Sequence, residues 1–289
     1  MPSLKEVRIR IASVNSTQQI TKAMKMVSAA KLRRAQENMF QMRPYAQKLT
    51  QMLGTVSAGA DSAQSNPYRK VRTVQKALVI VVTSDRGLCG AFNANVAKAA
   101  AAHIEEHYGK NNAEIMPIGK KGAEFFQRRG YKVNAKYTDT YQNLSFAKVR
   151  VAAEDAMNGF LEGQYDEVVI VFNEFKNVAT QILRTEQFLP IVEKKETKKQ
   201  STKTNYIFEP SEDEIVSELI PKSLKIQLYR AVLESNASEH GARMTAMDKA
   251  TENAGDLLRA LRLEYNRSRQ AAITKEILEI VGGAEALSS

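Results

Sequence analysis

The apolar positions near the start of the chain recur with the spacing of one face of a helix. The intervals are three and four residues in the series Leu4, Val7, Ile11 and Val14, and they repeat with a shifted phase in Ile20, Met24 and Val27. This pattern predicts an apolar seam on a long helix, and Ser3 followed by Glu6 is typical of a capping box at its start. From Ser3 to Arg43 there is neither glycine nor proline, so Pro44 is the first expected break. A helix of this length would span about 60 Å, more than the interior of a compact domain, so we expect it to project.

The other end of the chain has the same helical character over a longer stretch. Between Pro221 and Gly282 only two glycines interrupt the helical composition, and Ser211 with Glu214 again resembles a capping box. One seam is expected at Leu258, Leu261, Tyr265, Ser268 and Ala272, and a second, adjacent seam at Ile273, Ile277, Ile280, Ala284 and Leu287. About 60 residues give a helix of about 90 Å, which needs a partner to cover its apolar stripe. We therefore predict a long antiparallel coiled coil of the N- and C-terminal helices, with the end of the longer C-terminal helix extending alone as a second binding surface.

The middle of the chain, from about Lys76 to Pro190, changes to short apolar strands that alternate with helices. Strands are predicted at 77–82, 114–118, 131–137, 167–175 and 180–189, with helices at 93–107, 120–129 and 146–160. Such alternation favours an α/β layer with a largely parallel sheet. The predicted fold class is α/β: the long antiparallel coiled coil plus a central Rossmann-like α/β domain. The expected divisions are an N-terminal helix at 1–58, a linker at 59–75, the α/β domain at 76–190, a loop at 191–210 and a C-terminal helix at 211–289.

Positive charge is concentrated at the N-terminal end. The chain has a net charge of +10, and its first 50 residues hold ten Lys/Arg against two acidic residues, a local charge of +8. Such a patch implies an acidic partner, which could be nucleic acid, a membrane surface or a protein. Residues 1–39 hold no aromatic among these charges, and the apolar face of the helix is rich in Ala, Ser and Met, so an acidic protein is favoured. No stretch approaches the roughly 20 apolar residues of a membrane span, and the single cysteine, Cys89, fits a reducing compartment.

Two short patterns in the middle of the chain resemble sites of chemistry. The turn Ser84–Gly90 follows a buried strand and opens a helix, where doubly wound folds hold phosphate. Its two glycines match neither a dinucleotide-binding nor a Walker A pattern, so a structural turn is favoured, with Cys89 a buried small residue and not a nucleophile. His103 and His107 have the spacing of a metal pair, but two solvated histidines are the favoured interpretation. No catalytic residue, cofactor or metal is therefore expected.

Three separated motifs carry a resemblance to a known family. They are Ile11–Val14 with Thr17–Lys31 near the start, Ser84–Gly90 in the middle, and Ala242–Met247 with Tyr265–Glu276 near the end. In this order, over the whole chain, they resemble the gamma subunit of F-type ATP synthases, bacterial type. The resemblance implies a central rotor shaft without a catalytic site of its own. It would couple proton-driven rotation of a membrane ring to conformational cycling of catalytic beta subunits, in ATP synthesis and hydrolysis.

The resemblance also implies partners and a location. The partners would be the alpha and beta subunits of the catalytic hexamer, the epsilon subunit and the membrane c-ring, with no nucleic acid and no direct membrane insertion. Chloroplast forms carry a regulatory cysteine pair, and because Cys89 is alone, thiol switching is not expected. An initiator Met without an Arg/Ser-rich leader indicates a bacterial protein, peripheral on the cytoplasmic face of the plasma membrane.

Ten residues receive roles from the resemblance. Seven match positions that contact the stator or stabilise the two-helix shaft: Met24, Lys25, Arg243, Arg269, Gln270, Thr274 and Glu276. Met24 and Lys25 would face the acidic loops of beta, and the apolar C-terminal tip would turn in a bearing. Three more match the foot that meets the membrane ring: Tyr206, Phe208 and Glu209.

Two other classes of protein remain open at this point. A cytosolic α/β enzyme with helical extensions would bind a ligand stoichiometrically as an isolated chain. A coiled-coil nucleic-acid binder would show affinity for DNA or RNA that falls steeply with salt.

Overall fold

The computed structural model describes residues 3–57, 66–191 and 212–288. Two long helices, α1 (Leu4–Ser57) and α5 (Glu212–Ser288), flank a five-stranded sheet and three shorter helices. The chain divides into two compact units. Unit 1 consists of Met1–Ala29 and Arg243–Ser289, and unit 2 consists of Ala30–Ala242. Each long helix contributes residues to both units.

The sheet of unit 2 has the order β3-β2-β1-β4-β5. Its strands are β1 (Ala77–Val82), β2 (Ala113–Ile118), β3 (Lys132–Val133), β4 (Glu167–Phe175) and β5 (Gln181–Leu189). The shorter helices are α2 (Phe92–His107), α3 (Lys120–Arg128) and α4 (Phe146–Leu161). β1 pairs in parallel with β2 and β4, β2 pairs in parallel with β3, and only β5 is antiparallel, to β4. The predicted α/β layer with a largely parallel sheet is confirmed.

Alternate side chains of the central strand β1 enter two separate cores. Val79 and Val81 pack with residues of α2 and α3, including Ile104 and Phe126. Leu78 and Ile80 point to the other face and pack with α4 and α5. Strands buried on both faces read as continuous apolar runs, which is why Ala77–Val82 has no polar residue. The C-terminal helix is therefore part of the core of the α/β domain in unit 2.

One predicted strand is wrong over most of its length. The strand expected at 131–137 exists only as Lys132–Val133, and a 3₁₀ turn follows at Ala135–Tyr137. The side chain of Asn134 accepts a hydrogen bond from the backbone N–H of Lys136 at 3.3 Å. This local bond offers the backbone an alternative to strand pairing, so the turn replaces the rest of the strand.

The start of α1 confirms the predicted capping box. The backbone N–H of Glu6 donates to Ser3 Oγ at 3.2 Å, and the N–H of Ser3 donates to Glu6 Oε2 at 3.0 Å. The expected break at Pro44 is wrong, because α1 continues through it to Ser57. Proline removes one helical hydrogen bond, but the next turns are held by Ala46 and Leu49, which are buried against α5. The second proposed capping residue, Ser211, lies outside the described residues.

Candidate functional site on the helix pair

In unit 1 the two long helices pack against each other in antiparallel fashion. The amide Nε2 of Gln18 lies 3.4 Å from the carbonyl oxygen of Thr251, and the hydroxyls of Thr21 and Thr251 lie 2.9 Å apart. Further along α1, Lys25 Nζ lies 2.5 Å from Asp248 Oδ1. Residue numbers rise on α1 as they fall on α5, so the predicted antiparallel pairing is confirmed within this unit.

The seam of α1 keeps one phase throughout unit 1. Its buried or half-buried positions are Leu4, Val7, Ile11, Val14, Gln18, Thr21, Lys25 and Ser28, at alternating intervals of three and four residues. The shifted phase predicted from Ile20, Met24 and Val27 is wrong, because Ile20 and Val27 are 58% and 56% exposed. A heptad seam must keep its phase to stay in contact with the partner helix, and polar residues occupy it where apolar ones are missing.

We call Gln18, Thr21, Lys25 and Ser28 the polar seam. Hydroxyl and amide groups here bond across the pair or to their own helix, as Ser28 Oγ does to the carbonyl oxygen of Met24 at 2.7 Å. Opposite Gln18 stands Gly255, where an added Cβ would lie 3.0 Å from Gln18 Nε2. A larger residue at 255 would require the end of the Gln18 side chain to shift slightly. The partners Asp248 and Thr251 were not identified from the sequence, although they continue the spacing of the seam that begins at Leu258.

Because polar residues occupy the contact with α5, several apolar side chains of α1 lie on its exposed surface. Ile9, Ile20, Met26 and Val27 are all more than half exposed. Met24, which was assigned to a partner contact, is half-buried. Lys25 forms an ion pair with Asp248, and its side chain is 40% exposed. Contact of either residue with a partner stays a prediction.

α5 extends beyond the start of α1, as predicted. Val7 lies beside Leu261 and Glu264, and only the first turn of α1 precedes it. The seam of α5 fades through the half-buried Tyr265, Ser268 and Ala272. Beyond it the exposed apolar residues are Ile273, Ile277, Leu278, Ile280 and Val281, which we call the apolar extension. It is a continuous apolar surface on a single helix, of the kind that marks a contact with another protein.

The structure separates the other residues with predicted roles into two places. Arg269, Gln270, Thr274 and Glu276 are exposed beside the apolar extension. Thr274 Oγ1 donates to the carbonyl oxygen of Gln270 at 2.9 Å, so it is engaged with its own helix. Arg243 is only 9% exposed, and 26 residues of helix, about 39 Å, separate it from Arg269. Tyr206, Phe208 and Glu209 lie outside the described residues.

The turn between β1 and α2 is held by hydrogen bonds among its own residues. Asn93 Oδ1 accepts from the backbone N–H of Ser84 at 2.9 Å, and Asn93 Nδ2 lies 2.8 Å from Ser84 Oγ and 3.2 Å from Cys89 Sγ. Cys89 is 1% exposed, as expected for a buried small residue. Leu88 has a φ of 64°, a strained value for a residue with a side chain, and the bonds around it hold that conformation. The geometry supports a structural turn.

The two histidines of α2 lie against each other. Their ring centroids are 4.2 Å apart, and His107 Nδ1 lies 3.0 Å from the carbonyl oxygen of His103. Burial and the neighbouring His107 lower the pKa of His103. Within 3–57, 66–191 and 212–288 no three His, Cys, Asp or Glu side chains are grouped as a metal site. In the same ranges no helix has the length and apolarity needed to cross a membrane.

Comparison with known proteins places this geometry in a family. A family model described as ATP synthase matches residues 3–287. The ATP synthase gamma chain of Cytophaga hutchinsonii is 62% identical, and the alignment covers 100% of both chains. That of Chlorobaculum tepidum is 52% identical over 99% of both.

Solved structures share the fold at low sequence identity. A chain of the Euglena gracilis mitochondrial ATP synthase aligns with a TM-score of 0.68 and 21% identity, covering 98% of this chain and 94% of its own. A chain of the Tetrahymena thermophila mitochondrial ATP synthase, from a structure of the central stalk and c-ring, gives 0.59 and 23%, with coverage of 80% and 99%. The match of the family model and the identity to bacterial relatives over their full length show that this chain belongs to the ATP synthase gamma chain family.

Proposed function

We propose that this chain is the central rotor shaft of a bacterial F-type ATP synthase and that it carries no catalytic site of its own. The observation that carries the proposal is the helix pair of unit 1, in which α5 runs past α1 and exposes the apolar extension. A stiff helix pair with a protruding apolar end fits an element that turns inside a ring of other subunits. Family membership over residues 3–287 supports the same role.

The surfaces of unit 1 suit the alpha and beta subunits of a catalytic hexamer. Lys5, Arg8, Arg10 and Lys22 are exposed on α1, and a basic surface favours acidic partner loops. Between these cations lie exposed apolar side chains such as Ile20, which give contact without directional bonds. Met24 and Lys25 belong to this contact, and Arg243, Arg269, Gln270, Thr274 and Glu276 stabilise the pair or meet the stator. The apolar extension turns in an apolar bearing.

The remaining proposed partners are the epsilon subunit and the membrane c-ring. The segment with Tyr206, Phe208 and Glu209 meets the membrane c-ring, as the resemblance of the sequence to the family implies. The protein then lies on the cytoplasmic face of the bacterial plasma membrane as a peripheral subunit, without inserting into it. Rotation of the ring turns the helix pair. The pair is asymmetric because only α5 continues past Leu4, so each catalytic subunit contacts a different surface of the pair at each angle of rotation.

Co-purification from the native host tests the assembly. A tagged copy should recover five soluble subunits with magnesium-dependent ATP hydrolysis, while the isolated chain should hydrolyse no ATP. An isolated chain that turns over nucleotide, or one recovered with nucleic acid, would return the two alternative classes to consideration.

A variant at Met24 tests the contact with acidic loops. Met24→Lys adds a cation beside Lys25, which should form an ionic lock with a partner carboxylate and lower the number of protons pumped per ATP hydrolysed. Met24→Leu keeps the size and apolarity and serves as the matched control. Equal pumping ratios in the two variants would remove Met24 from the proposed contact.

A further inference from the structure

A buried ion pair in unit 2 joins α1, α5 and the last residue of β4. Arg43 Nε donates to Glu234 Oε1 at 2.8 Å, and Arg43 Nη2 donates to Glu234 Oε2 at 2.9 Å. The same Nη2 also donates to the carbonyl oxygen of Phe175 at 3.0 Å. Glu234 Oε2 accepts in turn from the backbone N–H of Phe175 at 3.1 Å. We call these three residues the clamp.

The clamp occupies the backbone groups of Phe175 at the end of β4. The Glu234 side chain is 3% exposed and the Arg43 side chain 32% exposed, so the carboxylate has been withdrawn from water. A buried carboxylate is tolerated only when it is paired and hydrogen-bonded, and a bidentate guanidinium fixes both distance and angle. Arg43 and Glu234 therefore hold one defined orientation.

α5 is attached to the sheet in several other ways, whereas Arg43 bonds α1 directly to it. α5 contributes Leu224, Leu228 and Val232 to the core under β1 and β4. Ser238 Oγ donates to the carbonyl oxygen of Asn173 at 3.1 Å. An ion pair joins Arg230 to Glu186 of β5 at 2.7 Å. From α1, Arg43 donates through its guanidinium to the β4 backbone at Phe175.

We propose that Arg43 is a positioning residue for torque transfer: through Glu234 and Phe175 it locks α1 to the α/β domain, so that both helices of the pair turn together with the sheet. The proposal rests on the proposed rotor function. Without the lock, α1 would lose this direct bond to β4 and would rely more on its packing against α5, so part of the rotation would be lost as twist between the two helices. Arg43 touches no substrate, so its effect falls on coupling and not on the chemistry of ATP.

The test uses the complete ATP synthase in inverted membrane vesicles of the native host, with ATP hydrolysis and proton pumping measured on the same sample. Arg43→Gln removes the charge and the bidentate geometry, and loss of charge-assisted bonds should lower the ratio of locked to unlocked states about tenfold. Protons pumped per ATP should fall about twofold or more, while hydrolysis in uncoupled vesicles stays near the wild-type rate. Arg230→Gln, which breaks an ion pair between α5 and β5, is the matched control and should keep the wild-type ratio.

A double variant separates positioning from stability. Arg43→Gln alone leaves Glu234 as a buried charge without its partner, and the protein could fail to assemble for that reason. Arg43→Met with Glu234→Gln removes both charges, and the glutamine oxygen can still accept from the Phe175 N–H. This variant should regain the thermal stability of the wild type and still pump poorly.

Each result bears on one proposal. A double variant that regains coupling along with stability would overturn the positioning role, and so would an Arg43→Gln complex with the wild-type ratio. Wild-type vesicles in which this chain does not support coupled pumping would instead overturn the rotor function itself.

Discussion

The two ends of α5 are the same kind of helix in very different surroundings. In unit 2, from Ala231 to Ser235, five consecutive residues are buried. In unit 1 the buried residues of α5 are Arg243, Met247, Ala254, Leu258 and Leu261, at intervals of three, four or seven residues. Beyond Ala272 every described side chain is exposed. One continuous helix thus passes from a core element to half of a coiled coil and then to a bare extension.

The difference comes from the number of neighbours around the helix. In unit 2, α5 packs on the sheet and α4 and touches α1, as at Ile226 against Ala46. Small residues such as Ala231, Ser235 and Ala237 let these elements approach closely. In unit 1 the partner is α1, which covers one stripe. α5 stays helical through Pro221 in unit 2, so tertiary contacts outweigh helix propensity there.

The largest expected effect is a difference in stability loss when the same Leu→Ala substitution is made in each part of α5. Leu228→Ala, at a fully buried position of unit 2, should lower the free energy of unfolding by about 4 kcal/mol through lost burial and a cavity. Leu258→Ala, in the seam of unit 1, should cost about 2 kcal/mol because the flanks of the seam can relax. Denaturant unfolding of the purified chain measures both. Equal losses would mean that the two environments do not differ in packing.

A second pair of variants uses two serines of the same helix. Ser235 is fully buried in unit 2, so Ser235→Leu should destabilise by about 3 kcal/mol through overpacking. Ser268 is half-buried in the seam, so Ser268→Leu should add apolar contact and change stability by no more than about 1 kcal/mol, in the stabilising direction. Thermal unfolding midpoints give the comparison, and a tolerated leucine at 235 would contradict the close packing of this part of α5.

The ion pair of the polar seam should matter less. Lys25 and Asp248 are 40% and 60% exposed, and pairs in such solvent are worth less than about 1 kcal/mol. Lys25→Met should therefore change the unfolding free energy by no more than this amount. The Asp248→Asn variant and the double variant complete a mutant cycle, whose coupling energy we expect to be about 0.5 kcal/mol. A coupling several times larger would make this pair a main determinant of the helix pair.

The smallest effect is a dependence on pH that is confined to unit 2. All three histidines of the chain lie there, and burial lowers the pKa of His103 below its ordinary value of 6.5. The unfolded chain then binds a proton before the folded one does, so stability is complete above pH 6.5 and declines as pH falls from there toward the folded pKa. Hydrogen exchange near pH 6 should show this decline around α2 and not in the seam of unit 1. His103→Gln should remove most of it; an unchanged decline would assign it to another group.

Much of this architecture was predictable from local patterns. β1 and β4 were predicted with the bounds that the structure shows, because a short apolar run between two turns is typical of a buried strand. The capping box at Ser3 and Glu6 formed as predicted, because its partners are three residues apart. The exposed apolar residues after Ile273 also followed from the unequal lengths of the two helices.

The sequence by itself determined where helices and strands form, that the sheet is largely parallel and which family the chain resembles, because these depend on periodicity and on short motifs. Only the tertiary structure decided which stripe of α1 faces α5. Thr21 and Lys25 lie in the contact with α5, whereas the apolar Ile20 and Val27 are exposed. The tertiary structure also carried α1 through Pro44, made α5 a core helix and joined Arg43 to Glu234 across 191 residues. Each of these outcomes depends on which residues that are distant in sequence become neighbours in the fold. A local sequence pattern does not contain that information.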